Sequence, residues 1–272
     1  MQQRVETIFA NKGIVVSAPL IKHSKGGIVA WNHLKRQIEN HLNEGAYVST
    51  FIDYYGIKSQ YEFPGWEEAL NITDKTKRLM FLFDCMSKDI SDDIRYRFIP
   101  YIQLHEFEGL LFSDVSVFKK SFCETEMDFD KIKVTTEEAE NPEMINDGPE
   151  TAPSKRIFKA VPGYDKVVYG SCLAMEIGFD NIRKKCPMFN RWIELILEKV
   201  VINAINRADP DLLWIGMTAL KQEKWTYTHW NELNIHCHVG TIGVVFDFFA
   251  GTYKRAPLWW QEHCLTILSV LS

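Results

Sequence analysis

The chain has 272 residues, 46% of them hydrophobic and 25% charged, with a formal net charge of −5. That is the composition of an ordinary globular protein, long enough for one large domain or two small ones. No Lys/Arg run forms an obvious nucleic-acid stripe, no apolar run reaches the roughly 18 residues of a membrane span, and no charged-then-apolar leader opens at Met1, so a cytoplasmic protein is expected. The cysteines Cys85, Cys123, Cys172, Cys186, Cys237 and Cys264 show no CxxC spacing. Free, mostly buried thiols are therefore expected rather than a zinc ribbon or a thioredoxin motif.

Residues 13–19, GIVVSAP, predict a short β-branched strand, and residues 28–42, IVAWNHLKRQIENHL, an amphipathic helix. AYVSTFID (46–53) predicts a strand ending at Asp53. A helical stretch covers roughly 74–92, and RFIPYIQLHEFEGLLF predicts a strand over 97–104. Alternating strands and helices are the pattern of an α/β sheet with crossover helices. In such sheets, sites collect beyond the C-terminal ends of the strands. Asp53 ends one strand, and Glu106 and Glu108 follow another. If the two strands are neighbours, three carboxylates converge at one edge. Carboxylate oxygens suit Mg²⁺ or Mn²⁺, which would polarise a phosphoryl oxygen and activate water. A second reading stays open, in which Glu106 or Glu108 is solvated or caps the following helix, LLFSDVSVFKKSF.

Residues 123–150 have a different texture. EEAENPEMINDGPE carries six acidic and no basic residues between Glu137 and Glu150, and its Gly and Pro predict an exposed loop. Ser154, Lys155 and Arg156 follow Pro153 at a plausible helix start. An anion could sit there against backbone N–H groups, Lys155 and Arg156; equally, the two cations could answer the acidic loop. Residues 171–198 read as helices.

The character shifts near Lys199. Asp209 and Pro210 mark a turn into a buried strand, DLLWIGM; KQEKWTYTHWNEL is helical, and HCHVGTIGVVFDFFAG contains a second strand. This is a small α/β half. GMTALKQE is a strand-to-helix turn. Its backbone N–H groups could hold a phosphate with Lys221 nearby, and Gln222 and Glu223 could bond hydroxyls. A capped surface helix is the other reading. His236 and His238 form one isolated HxH, which fits a strand edge better than a metal site.

FIDYYG, FIPYIQLHEFEGLLFSD, NPEMINDGPETAPSKRI, PGYDKVVYG and IGFDNIRKKCPMFNRW resemble, in order and spacing, the bacterial domain-of-unknown-function family 4276 over roughly residues 1–195. That family resembles TOPRIM domains, the Mg²⁺-binding α/β fold of topoisomerases, primases and overcoming-lysogenization-defect nucleases. The resemblance implies a TOPRIM-like Rossmannoid sheet and a Mg²⁺ or Mn²⁺ site at Asp53, Glu106 and Glu108. It also implies a nucleic acid or another phosphate ester as partner. Such proteins open with a strand carrying a V-E-G-x-T-E-like motif, whose glutamate is the general acid/base of TOPRIM enzymes. MQQRVETIF looks instead like the helix after that strand. Glu6 belongs to that helix, so the first strand and its glutamate are expected to be missing.

PDLLWIGMTALKQEKW, IGVVFDFFAGTYKRAP and WWQ resemble the C-terminal half of glycosyltransferase family 26, the WecB/TagA/CpsF group, over roughly residues 200–265. Those enzymes transfer N-acetylmannosamine-type sugars from UDP to lipid-linked acceptors in cell-envelope polysaccharide synthesis. The resemblance places Gly216, Lys221, Gln222, Glu223 and Asp247 in the UDP-sugar-binding half. It places Arg255 in the segment leading to a membrane-facing tail, which would make the protein peripheral at the inner membrane. Leu220 stands where that family has Pro. CLTILSVLS replaces a GLEWLYRL-like segment, and the N-terminal half with the catalytic aspartate has no counterpart.

Three expectations follow. The chain is a TOPRIM-like, metal-dependent phosphotransfer or nuclease-type protein with a passenger tail, or a nucleotide-sugar-binding or glycosyltransferase protein, or an inactive fusion of two incomplete halves.

Overall fold

A computed structural model describes residues 15–19, 21, 27–123, 125–146, 148–166, 168–218 and 220–243. The chain divides into two compact units, Met1–Lys199 and Val200–Ser272. It is mixed α/β with small parallel sheets.

The first unit is organised by one parallel pairing. β1 (Val48–Ser49) pairs with β3 (Phe98–Ile99), and β2 (Ile52–Asp53) pairs with β4 (Ile102–Gln103). All four partner pairs, Val48↔Phe98, Ser49↔Ile99, Ile52↔Ile102 and Asp53↔Gln103, share one register, so the two short ladders are one pairing with an interruption. Thr50 bridges that gap: its Oγ1 accepts from Tyr101 N at 2.8 Å and donates to Tyr101 O at 2.9 Å. The predicted strands over 46–53 and 97–104 are therefore neighbours, but as short two-stranded ladders among the described residues.

Helices cover both faces, as parallel strands require. α1 (Trp31–Asn43) buries Trp31, Leu34, Ile38 and Leu42 on one stripe. α2 (Trp66–Leu70) and α3 (Lys75–Lys88) join it, and α3 starts where the Asp74 carboxylate accepts from Lys77 N. These helices pack with Ile52, Phe98, Ile102 and Leu104 into one core. Tyr101 belongs to a second core with Leu110, Phe112, Phe118, Ile157, Leu173 and Phe189. That core is built from a 3₁₀ segment (Phe107–Ser113) and five helices: α4 (Ser116–Ser121), α5 (Phe129–Glu137), α6 (Pro153–Ala160), α7 (Val168–Ile177) and α8 (Phe179–Lys185). Phe189 and Ile193 of α9 (Pro187–Ala208) complete it.

Two expectations are corrected here. Residues 15–19 form no strand, and Val15 is 96% exposed. β-branched residues favour a strand only where a neighbouring strand and a packed surface receive them. Residues 13 and 14 lie outside the described residues. The acidic stretch is not an exposed loop throughout. Part of it is α5, and Glu143 and Asn146 are buried. The Glu143 carboxylate accepts from Met188 N at 2.8 Å and Phe189 N at 3.0 Å, satisfying the otherwise unpaired N–H groups at the start of α9. Counting charges along a segment cannot show that one carboxylate turns inward to cap a distant helix.

In the second unit, β5 (Leu212–Ile215), α10 (Lys221–His229) and β6 (His238–Thr241) form a parallel strand–helix–strand. The register pairs Leu212↔His238, Leu213↔Val239, Trp214↔Gly240 and Ile215↔Thr241. A Cβ on Gly240 would collide with the Trp214 ring, so the tryptophan requires glycine at this partner position. The turn at Asp209 is real, with φ 40°. The strand after it is not buried, however: Leu212 and Trp214 are about half exposed and only Ile215 is covered.

Two outcomes follow. Thr50→Val leaves the buried N–H and C=O of Tyr101 without their hydroxyl. It should lower the unfolding free energy by about 2–3 kcal/mol in urea titrations, while Thr50→Ser retains most of it. Burial pushes the Glu143 carboxyl up to about 7 from 4.5, against the two N–H groups that pull it down. The folded state then holds a proton that the unfolded state has released. This contribution to stability is complete below pH 4.5 and is lost as pH rises through about 7. Urea unfolding at pH 5 and pH 8 should show wild type weaker at pH 8, and a smaller difference in Glu143→Gln.

Candidate functional site

Asp53 ends β2, directly beside the end of β4. Its Oδ1 accepts from Phe107 N at 2.9 Å, which draws the chain after β4 across the strand ends. His105 makes the turn with φ 66°, an uncommon conformation for a non-glycine residue. Its carbonyl accepts from Tyr55 N at 3.2 Å. Glu106 and Glu108 then flank Phe107 at the mouth of the sheet.

Both glutamates act on the Asp53 carboxyl. Burial pushes the Asp53 carboxyl up to about 7, and Glu108 adds to the rise; the Phe107 N–H opposes it, Glu106 raises it further and Lys166 lowers it. Glu106 Oε2 accepts from Ser154 N at 3.0 Å, in the first turn of α6. Glu106 thus caps a helix, as the second reading held, but a helix some fifty residues on rather than the next one. Lys166 supplies the counter-charge. Its Nζ lies 3.2 Å from Glu108 Oε1 and 3.9 Å from Glu106 Oε1. Glu108 is buried, whereas the Lys166 side chain is 44% exposed. Among the described residues, no three His, Cys, Asp or Glu side chains are grouped so as to hold a metal ion as they stand.

Tyr164 belongs to the same place. It is 3% exposed, and its hydroxyl is buried without a hydrogen-bond partner. Burial, and then Glu108 and Asp165, push its ionisation well up, so it stays a phenol. On the other side of the turn, His105 is buried. Its Nε2 lies 3.3 Å from Lys75 Nζ and its Nδ1 lies 3.3 Å from Asn146 Nδ2. Burial, Lys75 and Arg78 lower its pKa to about 3, so it is a neutral imidazole. Lys166, Tyr164 and His105 escaped the reading of the sequence as site residues. PGYDKVVYG and QLHEFEG stood out as motifs, but nothing in their spacing shows that the first returns to the end of β2.

The helix start at Ser154–Arg156 is occupied from within the chain, since its N–H group is taken by Glu106. Arg156 answers the acidic segment. Its Nε donates to Thr151 O at 2.8 Å and its NH1 lies 3.4 Å from Glu138 Oε2. Lys155 is exposed.

In the second unit the turns after β5 and β6 meet at one buried side chain. Gln222 Oε1 accepts from Gly243 N at 2.8 Å and Met217 N at 3.4 Å, and its Nε2 donates to Glu223 Oε1 at 2.8 Å. The Gln222 hydrogen bond, and then the backbone at the helix start, hold the Glu223 carboxyl below its ordinary range. Gly216, Lys221 and Glu223 are exposed around this staple. Leu220 precedes α10 at φ 70° and is 83% exposed. A proline, fixed near −65°, could not adopt that conformation. Asp247 and Arg255 lie outside the described residues. No described helix is long and apolar enough to cross a membrane.

The model of the glycosyl transferase WecG/TagA/CpsF family matches residues 182–270. The N-acetylglucosaminyldiphosphoundecaprenol N-acetyl-beta-D-mannosaminyltransferases of Staphylococcus aureus strains MRSA252 and NCTC 8325 / PS 47 are 37% identical over 60 residues, 22% of this chain and 23% of each of those proteins. The chain therefore spans about a quarter of the length of these curated relatives. No solved structure matches it. The model of the domain of unknown function DUF4276 matches residues 1–197, which is most of the chain, and the protein belongs to that family.

Proposed function

We propose that the second unit is a nucleotide-sugar-binding element of the kind used in N-acetylmannosamine-type transfer from UDP to a lipid-linked diphosphate acceptor. The family match and the Staphylococcus aureus relatives support the chemistry. The observation that carries the reading is the Gln222 staple, which gathers the turns after two parallel strands at one edge. Ligands in α/β units bind at the carboxyl ends of the strands. Lys221 and the α10 N-terminus face a diphosphate there, and Glu223 faces ribose or sugar hydroxyls. Asp247 and Arg255 complete the UDP-sugar side and the membrane-facing side by resemblance. A lipid-linked acceptor would be met at the membrane surface, with the protein peripheral to it. In calorimetric titration of the full chain with UDP, Lys221→Ala should weaken binding about tenfold, the loss of one charge-assisted contact. UDP affinity unaltered by Lys221→Ala would remove the reading.

The convergence of Asp53, Glu106 and Glu108 favours a second reading for the first unit, a Mg²⁺ or Mn²⁺ site for phosphoryl chemistry on a phosphate ester or nucleic acid. All three would offer oxygen ligands, as hard cations require, although among the described residues they are not grouped to hold an ion as they stand. A bound cation would polarise a phosphoryl oxygen. This chain's residues would supply the carboxylates, hold the strand ends in register through Thr50, and exclude water with Phe107 and Tyr164. In Mn²⁺ titrations Glu108→Gln should bind at least about tenfold more weakly than wild type. Equal binding would refute the site. A chain that takes up neither UDP nor Mn²⁺ matches the third expectation, an inactive fusion.

A further inference from the structure

The turn at His105 carries a second polar knot, on the side away from the carboxylates, and neither proposed activity assigns it a role. His105 is 4% exposed and stands at a φ of 66°. Both of its ring nitrogens face nitrogen donors. Nε2 lies 3.3 Å from Lys75 Nζ, and Nδ1 lies 3.3 Å from Asn146 Nδ2. The Asn146 amide cannot turn round to offer its oxygen instead, because that oxygen accepts from Gly148 N at 2.6 Å and from the Thr151 hydroxyl at 3.2 Å.

A neutral imidazole has one N–H and one lone pair. If Nδ1 accepts from Asn146, Nε2–H points at the Lys75 ammonium. If Nε2 accepts from Lys75, Nδ1–H points at the Asn146 amide. Either way one buried donor lacks an acceptor, and protonating the ring would leave two. Buried polar groups are nearly always hydrogen-bonded, so this donor surplus requires an acceptor from outside the chain. We propose that Lys75, His105 and Arg78 form an oxyanion site for a dianionic phosphate or phosphate monoester, one oxygen of which accepts from Lys75 Nζ and His105 Nε2–H together. Nδ1 is then free to accept from Asn146, and every donor is satisfied. The site requires neither the carboxylates of the first unit nor the stapled turns of the second.

Charge favours an anion over water as that acceptor. Lys75 and Arg78 lie in the first turn of α3, which carries no acidic residue after its Asp74 cap. Cations there oppose the positive end of the helix, and a bound anion reverses the penalty. The partners of both are neutral. Lys75 Nζ meets His105 and donates to Asn146 O at 3.2 Å; Arg78 donates through Nε to Ile72 O at 2.9 Å and through NH1 to the Tyr54 hydroxyl at 3.1 Å. Among the described residues neither cation is ion-paired and Arg78 NH2 has no partner. Both act on the His105 ring: burial, and then Lys75 and Arg78, disfavour its protonation. Two cations without a carboxylate match a dianion. Access is also present. Lys75 and Arg78 are half-buried rather than enclosed, and the Tyr55 ring, 5.3 Å from the imidazole, is 37% exposed, so solvent reaches the edge of the knot. Lys75 sits on a flexible stem and can shift to admit an oxygen between itself and the ring.

The test is calorimetric titration of the full chain, in mildly alkaline buffer of constant ionic strength, with inorganic phosphate, phenyl phosphate and dimethyl phosphate as separate probes. Wild type is compared with Lys75→Met, Arg78→Gln and Lys77→Met, each checked for folding by circular dichroism. Imidazole resonances followed at fixed pH provide a second readout. Wild type should bind inorganic phosphate or phenyl phosphate, and the monoanionic dimethyl phosphate at least about tenfold more weakly. Lys75→Met and Arg78→Gln should each weaken phosphate binding about tenfold, whereas Lys77→Met, which removes an exposed cation from the same turn, should leave it nearly unchanged. Phosphate should move the His105 ring signals in wild type, and at the same concentration move them far less in Lys75→Met. Tighter binding of phenyl phosphate would support the site with an ester as its ligand, and exclusion of phenyl phosphate would support it with free phosphate. No phosphate uptake by wild type, or uptake that survives both Lys75→Met and Arg78→Gln, would overturn the site. Dimethyl phosphate binding as tightly as the dianions would overturn the match of two cations to a dianion.

Discussion

The first unit depends on one pairing, residues 48–53 against residues 98–103, held in a single register across an interruption by the Thr50 hydroxyl. A parallel pair has no hairpin to fix its register, so the register must come from side chains and burial. Here Ile52 and Ile102 face one core and Tyr101 the other, and a slip by one residue would turn each to the wrong side. With the register fixed, Asp53 comes level with Gln103. The Asp53 carboxylate can then take the N–H of Phe107 and bend the chain across the strand ends. The acidic cluster is a consequence of that geometry. Its cost is visible in Asp53, which burial and the neighbouring glutamates hold far above the ordinary carboxylate range.

The same logic recurs at smaller scale in the second unit. There too two parallel strands need something to fix their ends, and Gln222 does it by accepting from the turns after both. A glutamine at the start of an amphipathic helix reads as a ligand contact in a sequence. In the structure its amide is spent on the backbone, and the exposed groups around it, Lys221 and Glu223, are left to meet a ligand. Leu220 shows the local price of this chain's departure from the glycosyltransferase pattern, since it sits at a positive φ that a proline could not take.

Much of this was legible beforehand. The strand ending at Asp53, the strand before Glu106, and the helices over 31–43 and 75–88 follow from apolar periodicity. That Asp53 lies beside the chain carrying Glu106 and Glu108 followed from one condition, that the two strands be neighbours. What stayed hidden was whatever depends on distant segments returning. Glu143 reads as one of six acidic residues in a loop, yet it caps α9 from within the core. PGYDKVVYG offered no site residue in the sequence, yet its Lys166 pairs with Glu106 and Glu108. Val15 and Trp214 failed in the opposite direction. Their β propensity was real, but among the described residues the surfaces that would bury them are lacking. Propensity is local, whereas burial and charge pairing are properties of the assembled chain.

The central claim is that the stapled turns of the second unit hold a nucleoside diphosphate. The most direct test is to follow backbone amide resonances of the full chain during titration with UDP. The account predicts shifts concentrated at residues 216–223 and 240–243, around Gln222. Saturating UDP that leaves those amides unmoved, or that moves only amides near Asp53 and Glu108, would contradict it.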